Sequence, residues 1–196
     1  MKLLKNKDKI ILDLCGGTGA WSKPYKDAGY DVRLITLPEN DVSCYIPPEN
    51  VYGVLSAPPC TMFSFARTNA KTPRNLGDGM KTVIDCLSIV WRCQYKTKKE
   101  HQRKPPLKFW ALENPNAGLK WFLGRSVYRF QPYEFGDKYT KCTCLWGYFN
   151  EPKKQIYFNM GYKSIHHEED WTTRNRQEIR SITPPGFARA FYEANK

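Results

Sequence analysis

"KIILDLCGGTGAW", residues 9–21, decides how the rest of the chain is read. Its first half is a short apolar run broken by one aspartate, and its second half carries Gly16, Gly17 and Gly19. An apolar run that stops at glycines reads as a buried strand entering a tight turn. Glycine permits such turns and lets a ligand approach the backbone closely. The stretch from Gly19 to Gly29 reads as a short helix closed by glycine, with Pro24 near its start. Strand, glycine turn and helix form the opening unit of an α/β sheet, in which ligands sit at the carboxyl ends of strands. No Gly-Lys-Ser/Thr follows, so the turn is not a Walker loop.

Further strands follow the same pattern. "DVRLIT" (31–36), "VYGVLSA" (51–57) and "LKFWALEN" (107–114) are apolar runs between turn signals. With 9–14 they are expected to lie parallel and adjacent, with helices on both faces of the sheet. Met80, Val83, Ile84, Leu87, Val90 and Trp91 fall on one face of a helix that starts near Met80. Before it, "TNAKTPRNLGDG" (68–79) has no periodicity and reads as a long basic loop. "KTKKEHQRKPP" (96–106) reads as a solvated turn or a phosphate contact. "GLKWFLG" suggests a short helix, while "YRFQPYEF" and "CTCLWG" suggest strands. Residues 152–180 are polar with little regular pattern, and "TPPGFARAFYEAN" reads as a closing helix. The whole of 1–196 is expected to form one domain.

Composition narrows the partners. The chain has 196 residues, 41% of them hydrophobic, and a formal net charge of +12. That excess points to a phosphate-bearing polymer, because positive charge concentrates and steers polyanions. No apolar run is long enough to span a membrane, and the N-terminus lacks the pattern of a signal peptide. Seven cysteines, an odd number, argue for a reducing compartment, and a cytoplasmic location is expected. Cys142 and Cys144 have no second close pair, and with three histidines a structural zinc is not expected.

Chemistry is expected at three strand ends. The first is the glycine turn. The second is "SAPPCTMFSFAR" (56–67), where two prolines stiffen the approach to Cys60 and hold it out of a helix. Arg67, Lys71 and Arg74 nearby favour a thiolate and phosphate. The third is "ALENP" (111–115), where Glu113 ends an apolar strand. Partial desolvation there raises its proton affinity and suits a proton donor.

In this order, "DLCGGTGAW", "APPCTMFS" and "ALENP" resemble the cofactor loop, the Pro-Cys motif and the Glu-Asn motif of the cytosine-5 DNA methyltransferases. "RSITPPGFARAF" (180–191) resembles the later Arg-x-Leu-Thr-Pro segment of that family. The resemblance implies a Rossmann-like methyltransferase sheet that binds S-adenosylmethionine. It assigns the cofactor to Asp13, Leu14, Gly16, Gly17, Thr18, Gly19, Trp21, Thr36 and Pro58. It makes Cys60 the nucleophile on C6 of an extruded cytosine and Glu113 the partner of N3 and the exocyclic amine. Pro59, Ser64, Arg67, Lys71, Arg74 and Asn114 would meet double-stranded DNA. The family's second-strand acid is replaced by Thr36, with Glu39 a possible substitute, and its Gln-x-Arg-x-Arg motif is matched poorly by "KYTKCTCLWG". Lys141 is the surrogate positive charge.

The family also inserts a target-recognition domain between the segments matched by 138–147 and 180–191. Only a short stretch remains here, so 148–179, with Arg174 and Arg176, is expected to be a minimal reader of a short site. A monomer is expected, alone or with an accessory specificity protein. Three rival readings stay open. They are a methyltransferase-like nucleic-acid binder without activity, an RNA cytosine-5 methyltransferase, and a thymidylate-synthase-like enzyme acting on free pyrimidine nucleotides.

Overall fold

The computed structural model describes residues 5–67, 70–96, 99–103, 107–165 and 176–196. A 3-10 turn leads into β1 (Ile10–Leu14), α1 (Lys23–Asp27), β2 (Asp31–Ile35) and β3 (Val51–Ser56). Next come α2 (Leu76–Gln94), a hairpin of β4 (Tyr95–Lys96) and β5 (Lys99–Arg103), and β6 (Phe109–Pro115). The chain closes with α3 (Lys120–Leu123), β7 (Tyr128–Phe130), β8 (Thr143–Tyr148), α4 (Arg176–Ser181) and α5 (Pro185–Asn195).

Six strands form one mixed sheet in the order β2-β1-β3-β6-β8-β7. The four anticipated strands are adjacent and parallel, while β8 runs antiparallel to both β6 and β7. Register decides what the sheet presents. Leu14 pairs with Ile35 and Ser56, and Ser56 pairs with Leu112. β1, β2 and β3 therefore stop together, and β6 runs on through Glu113 to Pro115. The Pro-Cys segment leaves β3 at the level where Glu113 begins.

Alternation along the strands sends successive side chains to opposite faces, and both faces are apolar. Ile11, Leu55, Phe109, Ala111 and Leu145 face Trp21, Tyr25 of α1, and Phe187 and Phe191 of α5. Gly53 makes room there, because a Cβ at that position would run into the Phe109 ring. On the other face Leu12, Leu14 and Val54 meet Cys86, Ile89, Val90 and Cys93 of α2. That layer continues through Phe63, Val83, Leu112, Leu119 and Trp146. Helices thus cover both faces of the sheet.

Several local readings change. The buried stripe of α2 is Val83, Cys86, Ile89, Val90 and Cys93, whereas Ile84 and Trp91 are exposed. Two cysteines acting as small apolar residues rotate the packed face away from the one that aliphatic letters indicate. The basic loop ends earlier than expected, because Leu76–Gly79 are already helical. Asn75 caps that turn, its side-chain oxygen accepting from the Asp78 amide at 3.1 Å. At 96–106, where a solvated turn or a phosphate contact was expected, β4 and β5 pair as antiparallel strands. The second half of "YRFQPYEF" is a 3-10 turn, closed by reciprocal hydrogen bonds between Gln131 and Glu134. α4 forms within the segment that showed no pattern.

Candidate active site

The glycine turn is organised from beneath. Asp13 shares a face of β1 with Ile11 and is completely buried. The Ser22 hydroxyl donates to its Oδ2 at 2.5 Å, and Oδ1 accepts from no group among the described residues. Gly16 sits directly over this carboxylate, where any Cβ would collide with it. Cys15, Gly17 and Gly19 take positive φ of 56°, 54° and 72°, so the backbone turns back on itself. A Cβ at Gly17 would meet nothing within 4 Å, and the loop presents an open backbone face there. Thr18 beside it is exposed.

Burial pushes the Asp13 carboxyl up to about 6, against the pull of its Ser22 hydrogen bonds. The folded chain therefore holds this proton to higher pH than the unfolded chain, whose carboxyl titrates near 3.8. Stability is thus expected to fall as pH rises from about 4 to above 6, by an order of 3 kcal/mol from this group alone. Asp13→Asn should flatten that part of the profile, measured as urea midpoints across the range. Parallel profiles for the two proteins would show that Asp13 is not the group responsible.

Most of the other residues expected around the cofactor are more enclosed than the turn. Trp21 lies in the core, its ring centroid 5.9 Å from that of Phe187 and 5.4 Å from that of Phe191. Leu14 is buried against α2, and its carbonyl accepts from the Ala57 amide. Thr36 is partly buried at the end of β2, its carbonyl accepting from Asn40, and Glu39 is exposed. Pro58 is buried.

The Pro-Cys segment is pinned at three points. Asn114, fully buried at the end of β6, donates from Nδ2 to the Pro58 carbonyl at 2.9 Å. The Cys60 carbonyl accepts from the amides of Phe63 and Ser64 at 2.9 and 2.8 Å, closing a tight turn. Arg74 then donates to the carbonyls of Met62 and Ser64 at 2.9 and 2.8 Å. Arg74 and Asn114, both expected to touch DNA, are thereby occupied in holding the cysteine loop. Arg67 donates to the Thr72 hydroxyl at 2.9 Å, and Lys71 is exposed.

Cys60, Pro59 and Ser64 line a cavity of about 940 Å³ that also reaches Cys15, Lys141 and Arg180. It therefore extends from the end of β1 to the start of the closing segment. Lys141 is fixed twice over, its amide donating to Gln131 Oε1 and its Nζ to the Arg180 carbonyl, each at 2.9 Å. Burial and then the nearby Glu113 push the Cys60 thiol up, while Lys141 and Arg180 pull it back. Burial likewise pushes Glu113 up, opposed by Lys141. These four groups form one electrostatic unit in which the thiol and the carboxyl both tend to keep their protons.

That coupling predicts a measurable shift. Glu113→Gln should move alkylation of Cys60 by iodoacetamide to lower pH, and Lys141→Met should move it to higher pH. Profiles that do not move in either variant would mean that burial alone governs the thiol.

Sequence reasoning did not assign roles to Arg180, Gln131 or Ser22. Arg180 opens the segment "RSITPP" and was within reach of inference. The pairings of Ser22 with Asp13 and of Gln131 with Lys141 leave no spacing signal. Cys15 and Cys86 also meet, with sulfurs 3.9 Å apart, where the turn crosses α2. Arg174 lies outside the described residues, and Arg176 opens α4. All seven cysteines are free, no cluster that could hold a metal occurs among the described residues, and none of their helices is long and apolar enough to cross a membrane. Comparison with protein-family profiles and with curated proteins returned no match for this chain.

Proposed function

We propose that the chain transfers a methyl group from S-adenosylmethionine to C5 of cytosine in DNA, through a covalent adduct on Cys60. The observation that carries this reading is the grouping of Cys60, Glu113, Lys141 and Arg180 at the carboxyl edge of a parallel sheet. The cavity that Cys60 and Lys141 line reaches Cys15, the residue before the glycines.

The residues of the turn fit an adenosyl cofactor. The backbone is open over Gly17, and the positive φ values at Cys15, Gly17 and Gly19 turn the chain back on itself there. Gly16, Gly17, Thr18 and Gly19 would hold it. When bound, S-adenosylmethionine supplies an electrophilic methyl group.

C5 of cytosine is a weak nucleophile, and the chain's own residues must activate it. A base inside a duplex is out of reach of Cys60, so the target must first leave the stack. The thiol loses its proton to solvent, and the sulfur adds to C6, forming a C–S bond. The electrons of the C5–C6 double bond then make C5 nucleophilic. Glu113, whose carboxyl burial pushes toward higher proton affinity, donates at N3 and supports the shift of charge. Lys141 and Arg180 stabilise the thiolate before attack. Once C5 carries the methyl group it loses its proton to a base, the C–S bond breaks, the sulfur departs with its electron pair, and N3 returns its proton to Glu113.

The test is transfer of tritium from labelled S-adenosylmethionine to DNA, RNA and dCMP in separate reactions. Label in DNA supports the reading. Label in RNA or dCMP alone would select one of the rival substrates, and binding of DNA without label would identify an inactive binder.

A further inference from the structure

Two aromatic rings stand in solvent at the rim of the cavity. Phe65 lies five residues beyond Cys60 and lines the cavity, yet it is 54% exposed. Trp121, on α3, is 73% exposed. Their ring centroids are 5.9 Å apart and the planes are inclined by 49°. Large apolar side chains left in water beside a functional cleft mark a surface that something covers.

The rings are presented on a fixed base. The Gly118 amide donates to the Phe63 carbonyl at 3.0 Å, which ties the Cys60 loop to the segment that leads into α3. Phe63 is buried and packs edge-on against Phe122, and Leu119 is fully buried beside it. The apolar layer on this side of the sheet is occupied by Phe63 and Leu119 and includes neither exposed ring.

Charge identifies the occupant. Lys120 adjoins Trp121, Arg125 follows shortly after, and Lys71 lies beyond Phe65, all of them exposed. Exposed aromatic rings with cations close by in the chain suit unpaired nucleic acid, with rings stacking on bases and cations meeting phosphates. A paired base has both faces taken by its neighbours and cannot use such a platform.

We propose that Phe65 and Trp121 form a stacking site for an unpaired base that flanks the target cytosine on the same DNA strand. The chain then engages DNA whose target region is already open, as a single strand or a bubble, more tightly than a closed duplex. This inference rests on the DNA-directed reading above.

The experiment is fluorescence anisotropy of a labelled cytosine-containing oligonucleotide, single-stranded and as its perfect duplex, across a salt series. The wild-type protein should bind the single strand more tightly. Trp121→Ala and Phe65→Ala should each weaken that binding by about tenfold, with little change on the duplex. Trp121→Phe should retain most of the affinity. The slope of log affinity against log salt should stay the same in these variants, because a stacked ring releases no counterions.

Equal loss on single strand and duplex, or none on either, would overturn the stacking site while leaving the DNA reading intact. So would a change of oligomeric state in Trp121→Ala by sedimentation, since the rings would then cover another protein surface. Failure of the wild-type protein to bind either form would remove the DNA reading and the stacking site together.

Discussion

Cys60→Ala is expected to lower single-turnover methyl transfer to DNA by at least about a thousandfold, while S-adenosylmethionine binding changes by no more than about twofold. A thousandfold loss corresponds to about 4 kcal/mol of transition-state stabilisation. The alanine cannot form the C–S bond, and the hydroxyls of Thr61 and Ser64 on the same loop are far weaker nucleophiles than a thiolate. Cofactor affinity should survive because the loop is held by Asn114, Arg74 and Phe63 rather than by the thiol. Cys60→Ser should fall almost as far, since a hydroxyl is far harder to ionise than a thiol. Tritium transfer measures the first quantity and isothermal titration the second. A rate within tenfold of wild type would remove Cys60 from the chemistry.

Phe187→Ala should destabilise the fold by about 3–5 kcal/mol. Phe187 is completely buried on α5 and stacks on Phe130 with ring centroids 3.9 Å apart. It also touches Trp21, Phe135 and Phe191. The ring therefore joins the closing helix to β7 and to the turn after β1, and its removal leaves a cavity that stiff aromatic neighbours cannot refill. A loss of that size is a large share of the 5–15 kcal/mol typical of a domain. Urea denaturation with an unchanged dependence on denaturant would report it cleanly. A loss below about 1 kcal/mol would mean that the helix packs more loosely than its contacts imply.

What the sequence made legible follows from how local each signal was. β1 and β3 are buried on both faces and β6 nearly so, and each reads as an apolar run; β2, half-buried at the sheet edge, reads through Val32, Leu34 and Ile35, and the helices α1 and α2 mark the crossovers after β1 and β3. β4 and β5 were missed because "KTKKEHQR" is polar throughout and the two strands pair only with each other. The face of α2 was misplaced because Cys86 and Cys93 pack as apolar residues. Among site residues, Cys60 and Glu113 stood out because a stiffened cysteine and a carboxylate in an apolar strand are locally unusual. Trp21 was set beside the cofactor for its nearness in sequence to the glycines. It belongs to the core because the chain after Gly19 turns toward α5. Arg74 and Asn114 have polar side chains suited to phosphates and bases, and in the fold both also hold backbone carbonyls of the cysteine loop. Those carbonyls are exposed by the turn itself, and no sequence spacing reveals where their donors come from.

The covalent step is the centre of the proposed chemistry, and DNA carrying 5-fluorocytosine tests it most directly. Fluorine at C5 cannot leave as a proton, so the sulfur stays bonded to C6 once the methyl group has been transferred. Incubation with S-adenosylmethionine should yield a complex that survives denaturation, with mass spectrometry placing the adduct on Cys60 and no complex formed without the cofactor. Methylation of ordinary cytosine with no trapped complex on the fluorinated base, or an adduct on any other cysteine, would contradict the assignment.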